Sequence, residues 1–186
     1  MNNSVIMKQL LILCSILMFS TIASPIVAQE RNFINDYIER LENSHKYILK
    51  VAEMMPADNY KFRVTTESKS FEENLMHIAW AMDWHSQSLL GGRPARDWET
   101  DTELRIRDKS KEEMIATLDK TFNETIKLIT AFDSKRLNDE LDYFGLNRSK
   151  RQILLLLADH ITHHRAQMLV SLRLKGLVPP RYVLYQ

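Results

Sequence analysis

Three times along this chain a serine stands three residues before a glutamate or glutamine and directly ahead of an apolar helical stripe. The segments are Ser70-Phe71-Glu72-Glu73, Ser110-Lys111-Glu112-Glu113 and Ser149-Lys150-Arg151-Gln152. In each, the serine hydroxyl can accept from an early backbone N–H while the third side chain reaches back to the serine N–H, so both orphan donors of a helix start are satisfied. Each segment therefore predicts a helix N-terminus. The stripe after Ser70 holds Phe71, Leu75, Ile78, Ala79, Met82 and Leu89 and runs to Gly91-Gly92. That after Ser110 holds Met114/Ile115, Leu118, Phe122, Ile126, Ile129 and Phe132. The last follows Ser149 through Ile153 to Leu157 and on to about Lys175, where Gly176 and Pro179-Pro180 stop it.

A fourth stripe precedes these: Phe33/Ile34, Tyr37/Ile38, Leu41, Ile48/Leu49, Ala52 and Met55, ending at Pro56. Strand-like alternation is short everywhere, with Lys61 to Thr65 the one candidate for an extended piece. The expected fold class is thus all-α, a four-helix bundle in one domain spanning residues 29–186. Gly91 to Lys109 is far longer than an antiparallel hairpin needs. A lengthwise crossover there would leave the second and third helices parallel, an up-down-down-up order, and would let the loop cover one end of the bundle.

Residues 1–28 differ from the rest. Lys8 is their only charge, Leu10 to Phe19 form an apolar run, and Ser20 to Ala28 is small and uncharged around Pro25. This reads as a secretory signal peptide cut after Ala28, which places the protein in the periplasm or outside the cell. The alternative is a membrane anchor through residues 10–28, just long enough to span. Cys14 is the only cysteine and leaves with the segment, so disulfides, thiolate ligands and cysteine nucleophiles are excluded from the mature chain. Loss of Lys8 takes the 25 basic residues to 24, equal to the 24 acidic ones. A neutral chain without a basic patch is not expected to bind nucleic acid, nor to stay inserted in a membrane after cleavage. An exposed bundle face would allow a homodimer.

Half of the six histidines fall within Asp159-His160-Ile161-Thr162-His163-His164-Arg165. Positions four apart lie one turn above each other, so His160 and His164 form a two-pronged imidazole clamp, while His163 points to a flank. A third ligand must come from His45, His77 or His85. His77 lies amid the core-facing stripe of the second helix, where an unpartnered imidazole is costly. His45 reads as a core or rim histidine with a local hydrogen bond, and His85 as a surface or rim residue.

Several phrases carry a family resemblance: Met55-Pro56-Ala57-Asp58-Asn59-Tyr60-Lys61-Phe62-Arg63, Leu75-Met76-His77-Ile78-Ala79, Asp159 to Gln167, and Leu172-Arg173-Leu174-Lys175-Gly176 with Pro179-Pro180. From about Asn32 onward the chain resembles the DinB-like superfamily of four-helix metalloproteins. The resemblance implies an up-down-down-up bundle and a divalent metal, zinc or nickel, held by His77, His160 and His164. Ala166 departs from the glycine often found there. The export segment departs further, since many relatives act in the cytoplasm on low-molecular-weight thiols.

Three neutral imidazoles leave coordination positions open, as in a catalytic site. The expected function is an exported metal-dependent enzyme, of hydrolase or thiol transferase type, acting on a small molecule. A non-catalytic metal- or ligand-binding protein of the cell envelope is the alternative. The zincin base is missing, because Ile161 stands in its place, and no catalytic residue is assigned. Glu42-Asn43-Ser44-His45 has the spacing of a di-iron carboxylate bundle, but only one such motif is present. Glu73 is explained by capping, Asp159 by a solvated or interhelical role, and Arg165 and Gln167 by surface packing. Trp80 and Trp84 could wall a pocket or pack in the core.

Overall fold

The computed structural model describes residues 3–106 and 108–182, with side chains from residue 28 onward, so the signal-peptide reading lies outside the described side chains. Helix α1 spans Asn3–Met54 and buries Ile34, Tyr37, Leu41, Ile48, Val51 and Ala52 along one stripe. Pro56 ends it because proline offers no N–H for the ladder. Helix α2 covers Phe71–Asp83, α3 Lys111–Thr130 and α4 Lys150–Leu174. All three capping boxes are present with both reciprocal bonds. Ser70 Oγ accepts from the Glu73 N–H at 3.1 Å and the Ser70 N–H donates to Glu73 Oε2 at 2.7 Å. The Ser110–Glu113 and Ser149–Gln152 pairs repeat this.

The second helix departs from the expected continuous α-helix. After Asp83 the chain widens into a π-helical stretch, Trp84–Leu90. Its exit is set by the Gly91 N–H donating to the Ser86 carbonyl at 2.8 Å. A β-carbon at Gly91 would stand 2.7 Å from the Gln87 carbonyl oxygen and 2.9 Å from Leu128 Cδ1, so only glycine lets this turn pack on α3. Widened turns shift the facing of the residues on them and recur at functional sites.

The all-α expectation needs one correction. Strands β1 (Glu140–Tyr143) and β2 (Leu146–Ser149) form an antiparallel hairpin with Tyr143 opposite Leu146. The two turn residues, Phe144 and Gly145, have φ of 55° and 80°, the left-handed pair that a two-residue hairpin requires. Four-residue strands with no fully buried face carry too little alternation to read from sequence. Conversely, Lys61 to Thr65 forms turns and bends, not a strand.

The helices meet in an apolar core that includes Phe71, Leu75, Ile78, Met82, Leu118, Phe122, Ile129, Ile153 and Leu154. Helix α2 packs on α3 and α4, and α1 packs mainly on α3. Lys111, at the start of α3, donates to the carbonyls of Glu53 and Met55 at the end of α1. Between α2's π-helical continuation and α3, Ser86 bonds Thr125 and Gln87 donates to the Glu124 carbonyl, at sequence offsets of 39 and 37.

The link from Gly91 to Ser110 contains no helix or strand among its described residues, yet it is anchored. Asp83, with its side chain 5 % exposed, accepts from both Arg93 and Arg96. Arg96 continues to Asp101 at 2.8 Å and Glu103 at 2.7 Å, and Lys120 of α3 joins Glu103. Two guanidinium partners compensate the desolvation of the Asp83 carboxylate. The buried Leu104 seats the same link on the bundle, which brings Trp98 and Arg105 beside α2.

Candidate metal centre

His77 projects from α2 and His160 and His164 from successive turns of α4, so the α2–α4 interface brings all three together. One nitrogen from each lies within 4.8 Å of the others. The His77 ring is 5.0 Å from that of His160 and 4.6 Å from that of His164, and the His160 and His164 rings are 4.6 Å apart. Among the described residues this is the one cluster of three or more histidine, cysteine or carboxylate side chains suited to an ion.

The hydrogen bonding fits a metal. His77 Nδ1 and His160 Nε2 are buried with no hydrogen-bond partner. An unmet buried polar atom is costly, and an ion at that point would remove the cost. His164 Nδ1 lies 2.8 Å from Asn74 Oδ1. The Asn74 amide nitrogen already donates to the carbonyls of Ser70 at 2.8 Å and Lys69 at 3.2 Å, which orients its oxygen toward the imidazole. Asn74 Oδ1 can only accept, so His164 carries its proton on Nδ1 and leaves Nε2 as the donor atom for an ion.

Burial keeps the cluster neutral. Desolvation, helped by the nearby Lys69 ammonium and the neighbouring imidazoles, lowers His77 to about 4. Desolvation also lowers His164, to about 3, with His77, His160, His163 and Lys69 acting in the same direction. His160 is lowered by burial first and by His163 and Lys69 next. Neutral imidazole is the metal-binding form, so the site is poised for an ion without prior proton release at neutral pH.

The other three histidines are elsewhere engaged. His45 Nε2 pairs with Asp119 Oδ1 at 2.8 Å and its ring stacks on Phe122 at 4.6 Å; it is a half-buried histidine as expected, but its hydrogen bond crosses to α3 rather than being local. Glu42 is exposed and the triad includes no carboxylate, so the di-iron reading finds no support here. His163 is exposed, and its Nε2 accepts from the Gln167 amide at 2.8 Å. His85 is a correction: it is 3 % exposed, not a surface residue. Its Nδ1–H donates to the Ala81 carbonyl at 2.7 Å, and its Nε2 accepts from the Tyr143 hydroxyl at 3.1 Å. Both nitrogens are used, and burial lowers its pKa to about 4. Tyr143 belongs to the hairpin the sequence did not reveal, so this partner was invisible.

Glu73 is occupied by the Ser70 N–H and Arg63, as capping predicts, and Asp159 is exposed, 3.9 Å from Arg40 of α1. Arg165 packs inside: it is 5 % exposed, stacks between Tyr47 and Tyr182, and donates to the Tyr182 hydroxyl. Trp80 meets Trp98 edge-on at 4.5 Å, whereas Trp84 packs on His85 and the hairpin residues Tyr143 and Phe144.

Two cavities flank the triad. One, of about 520 Å³, is lined by His163, His164, Gln167, Ser68 and Lys69 among others. The other, of about 260 Å³, is lined by His77, Lys69, Glu73, Met76, Trp98, Leu104, Arg105 and Ile106. Small molecules can thus approach the imidazoles from either side. Asn74 and Lys69 were not singled out from the sequence. An asparagine one turn before His77, across from a helix carrying paired histidines, was the available signal for the first.

Asn74 sets the tautomer of His164, so its removal has a defined cost. Asn74→Ala is expected to weaken metal binding roughly 10- to 100-fold, the usual effect of losing a partner of a ligating imidazole. Asn74→Asp retains an acceptor and is expected to lie near the wild type. Competition with a chromophoric chelator measures both; equal affinity of Asn74→Ala and wild type would contradict the assignment.

The sequence model of the DinB family matches residues 29–185. YjoA of Bacillus subtilis strain 168, an uncharacterized protein, is 25 % identical over 142 residues, covering 72 % of this chain and 85 % of its own. The crystal structure of that DinB-like protein superposes with a TM-score of 0.64 at 19 % identity, covering 83 % of this chain and 99 % of the relative. A DinB-like protein from Bacillus cereus ATCC 10987 gives 0.63 at 19 % identity, covering 83 % and 97 %.

Proposed function

The chain belongs to the DinB family, and on that premise we propose that it is a metal-dependent enzyme in which His77, His160 and His164 hold a divalent ion such as zinc or nickel. The observation that carries this is the pair of buried, unpartnered nitrogens on His77 and His160 beside a His164 whose tautomer Asn74 fixes. A set of three neutral nitrogen donors suits a borderline ion and leaves it short of its full coordination. Bound there, the ion would supply Lewis acidity to a water or a thiol entering from the flanking cavities. The protein's own part is to keep the imidazoles neutral and oriented and to hold the substrate in those cavities. The reaction class that follows is hydrolysis or thiol transfer on a small molecule.

We read the bundle as up-down-down-up. Supporting this, Ser86 of α2's π-helical continuation bonds Thr125 of α3 while Gly91, five residues on, stands against Leu128, so the two segments advance the same way. In contrast, His45 with Asp119 and Lys111 with Glu53 advance in opposite directions along α1 and α3. We also read residues 1–28 as an export signal, on their composition and because the family match begins at residue 29. Among the described residues no helix is long and apolar enough to cross a membrane.

The test is turnover. Purified protein stripped of metal and reloaded with one equivalent of zinc or nickel is expected to convert an ester, an amide or a thiol-conjugation substrate, with activity lost on chelation. Stoichiometric metal without turnover on any of these classes would instead mark a binding protein.

A further inference from the structure

Lys69 occupies an unusual place. It precedes the Ser70 cap, and its carbonyl is tied to Asn74, the residue that also orients His164. Its side chain lines both cavities beside the triad. Its charge is felt by all three imidazoles, each of which it pushes toward the neutral form. No hydrogen bond or ion pair engages its ammonium group among the described residues.

Arg105 faces the same smaller cavity from the crossover link. It stacks over the Trp98 ring at 4.7 Å and donates through Nη1 to the Trp98 carbonyl, which leaves other N–H groups unused and no carboxylate paired with it among the described residues. The one carboxylate among the described residues that line that cavity, Glu73, is neutralised by Arg63 at 2.5 Å and by the Ser70 N–H at 2.7 Å. Two cations therefore face a cavity whose one anion among the described residues is already paired. The remaining wall is apolar: Met76, Leu104 and Ile106 with the Trp98 ring.

We propose that this cavity binds the anionic group of a small organic acid, held by Lys69 and Arg105, with the acid's apolar body against Met76, Trp98 and Leu104 and its reacting end beside His77. A point-charge ammonium and a planar guanidinium suit either a carboxylate or a phosphate. The larger cavity is less suited to an anion, since Glu67 lines it with Lys69. The proposal rests on the metal-enzyme reading for the role of the bound acid, and on the cavity alone for its binding.

Calorimetric titration of the full chain, with and without one equivalent of zinc, uses benzoate, phenyl phosphate and neutral benzamide as probes. Benzoate or phenyl phosphate is expected to bind, whichever is tighter identifying the anion, and benzamide to bind at least tenfold more weakly. Lys69→Gln and Arg105→Gln are each expected to weaken anion binding about tenfold while metal content and thermal midpoint stay at wild type. Lys69→Arg is expected to restore binding. Equal affinity for benzamide, or unchanged anion binding in both glutamine variants, would overturn the proposal. Charge-dependent binding by a protein that takes up no metal would uphold the anion pocket and defeat the metal-enzyme reading. Metal uptake without anion binding would do the reverse.

Discussion

Changing His77 or His164 to alanine is expected to abolish stoichiometric metal binding. Each removes one of three nitrogens gathered within 4.8 Å, and a two-imidazole remnant on flexible side chains cannot replace it. The affinity should fall by more than the roughly 100-fold that loss of a mere outer partner costs. Elemental analysis after gel filtration reads this directly. His45→Ala and His163→Ala are the controls: the first loses its bond to Asp119 and the second its bond to Gln167, and both should keep the metal. Acid provides a second reading of the same site. A free imidazole is largely protonated below pH 6.5, but burial holds His77 near 4 and His164 near 3. Protons therefore compete with the ion only at lower pH. Metal content should stay level from pH 8 to about 5.5 and fall as the pH drops toward 4.

Phe122→Ala is expected to be a severely damaging truncation of the core that leaves the metal ligands intact. Phe122 is fully buried on α3, where its ring stacks on His45 of α1 at 4.6 Å with the planes 10° apart. Removing a buried ring forfeits its transfer energy and leaves a cavity that the surrounding helices fill only in part, for a loss of about 3–5 kcal/mol. In a domain of this size that corresponds to a fall in thermal midpoint of roughly 10 °C. The truncation also strips His45 of its stacking partner, while the triad at the α2–α4 interface is untouched. Denaturation followed by circular dichroism measures the loss, and metal content should remain at wild type in the folded protein. A loss below 1 kcal/mol would mean that the α1–α3 interface contributes little to the core.

Local signals in the sequence reported the helices well. All three capping boxes formed with both of their bonds, because a serine and an acid or amide three residues apart need only each other and a helix start. The clamp of His160 and His164 was likewise legible, since helical spacing alone sets it. What brings His77 to the clamp is packing between α2 and α4, which no local pattern encodes; the family resemblance supplied it. The π-helical turn at Trp84–Leu90 was hidden, because its stripe of apolar residues resembles that of an ordinary helix. That turn and the unforeseen hairpin together explain why His85 is buried against Tyr143 rather than exposed. Arg165 misled for a related reason: a charged residue reads as surface until the tyrosines that flank it, one on α1 and one beyond α4, are brought together by the fold. Lys69 is 91 positions before His160, and Arg105 is 55 before it in the irregular link, so only the folded chain places them at the cavities.

X-ray absorption at the zinc edge of the reloaded protein tests the central claim most directly. The account predicts nitrogen scatterers at about 2.0–2.1 Å with the outer-shell pattern of three imidazoles, plus a light-atom ligand in the remaining position. A shell built from carboxylate oxygens with at most one imidazole, or a three-imidazole shell that persists in His77→Ala, would contradict it.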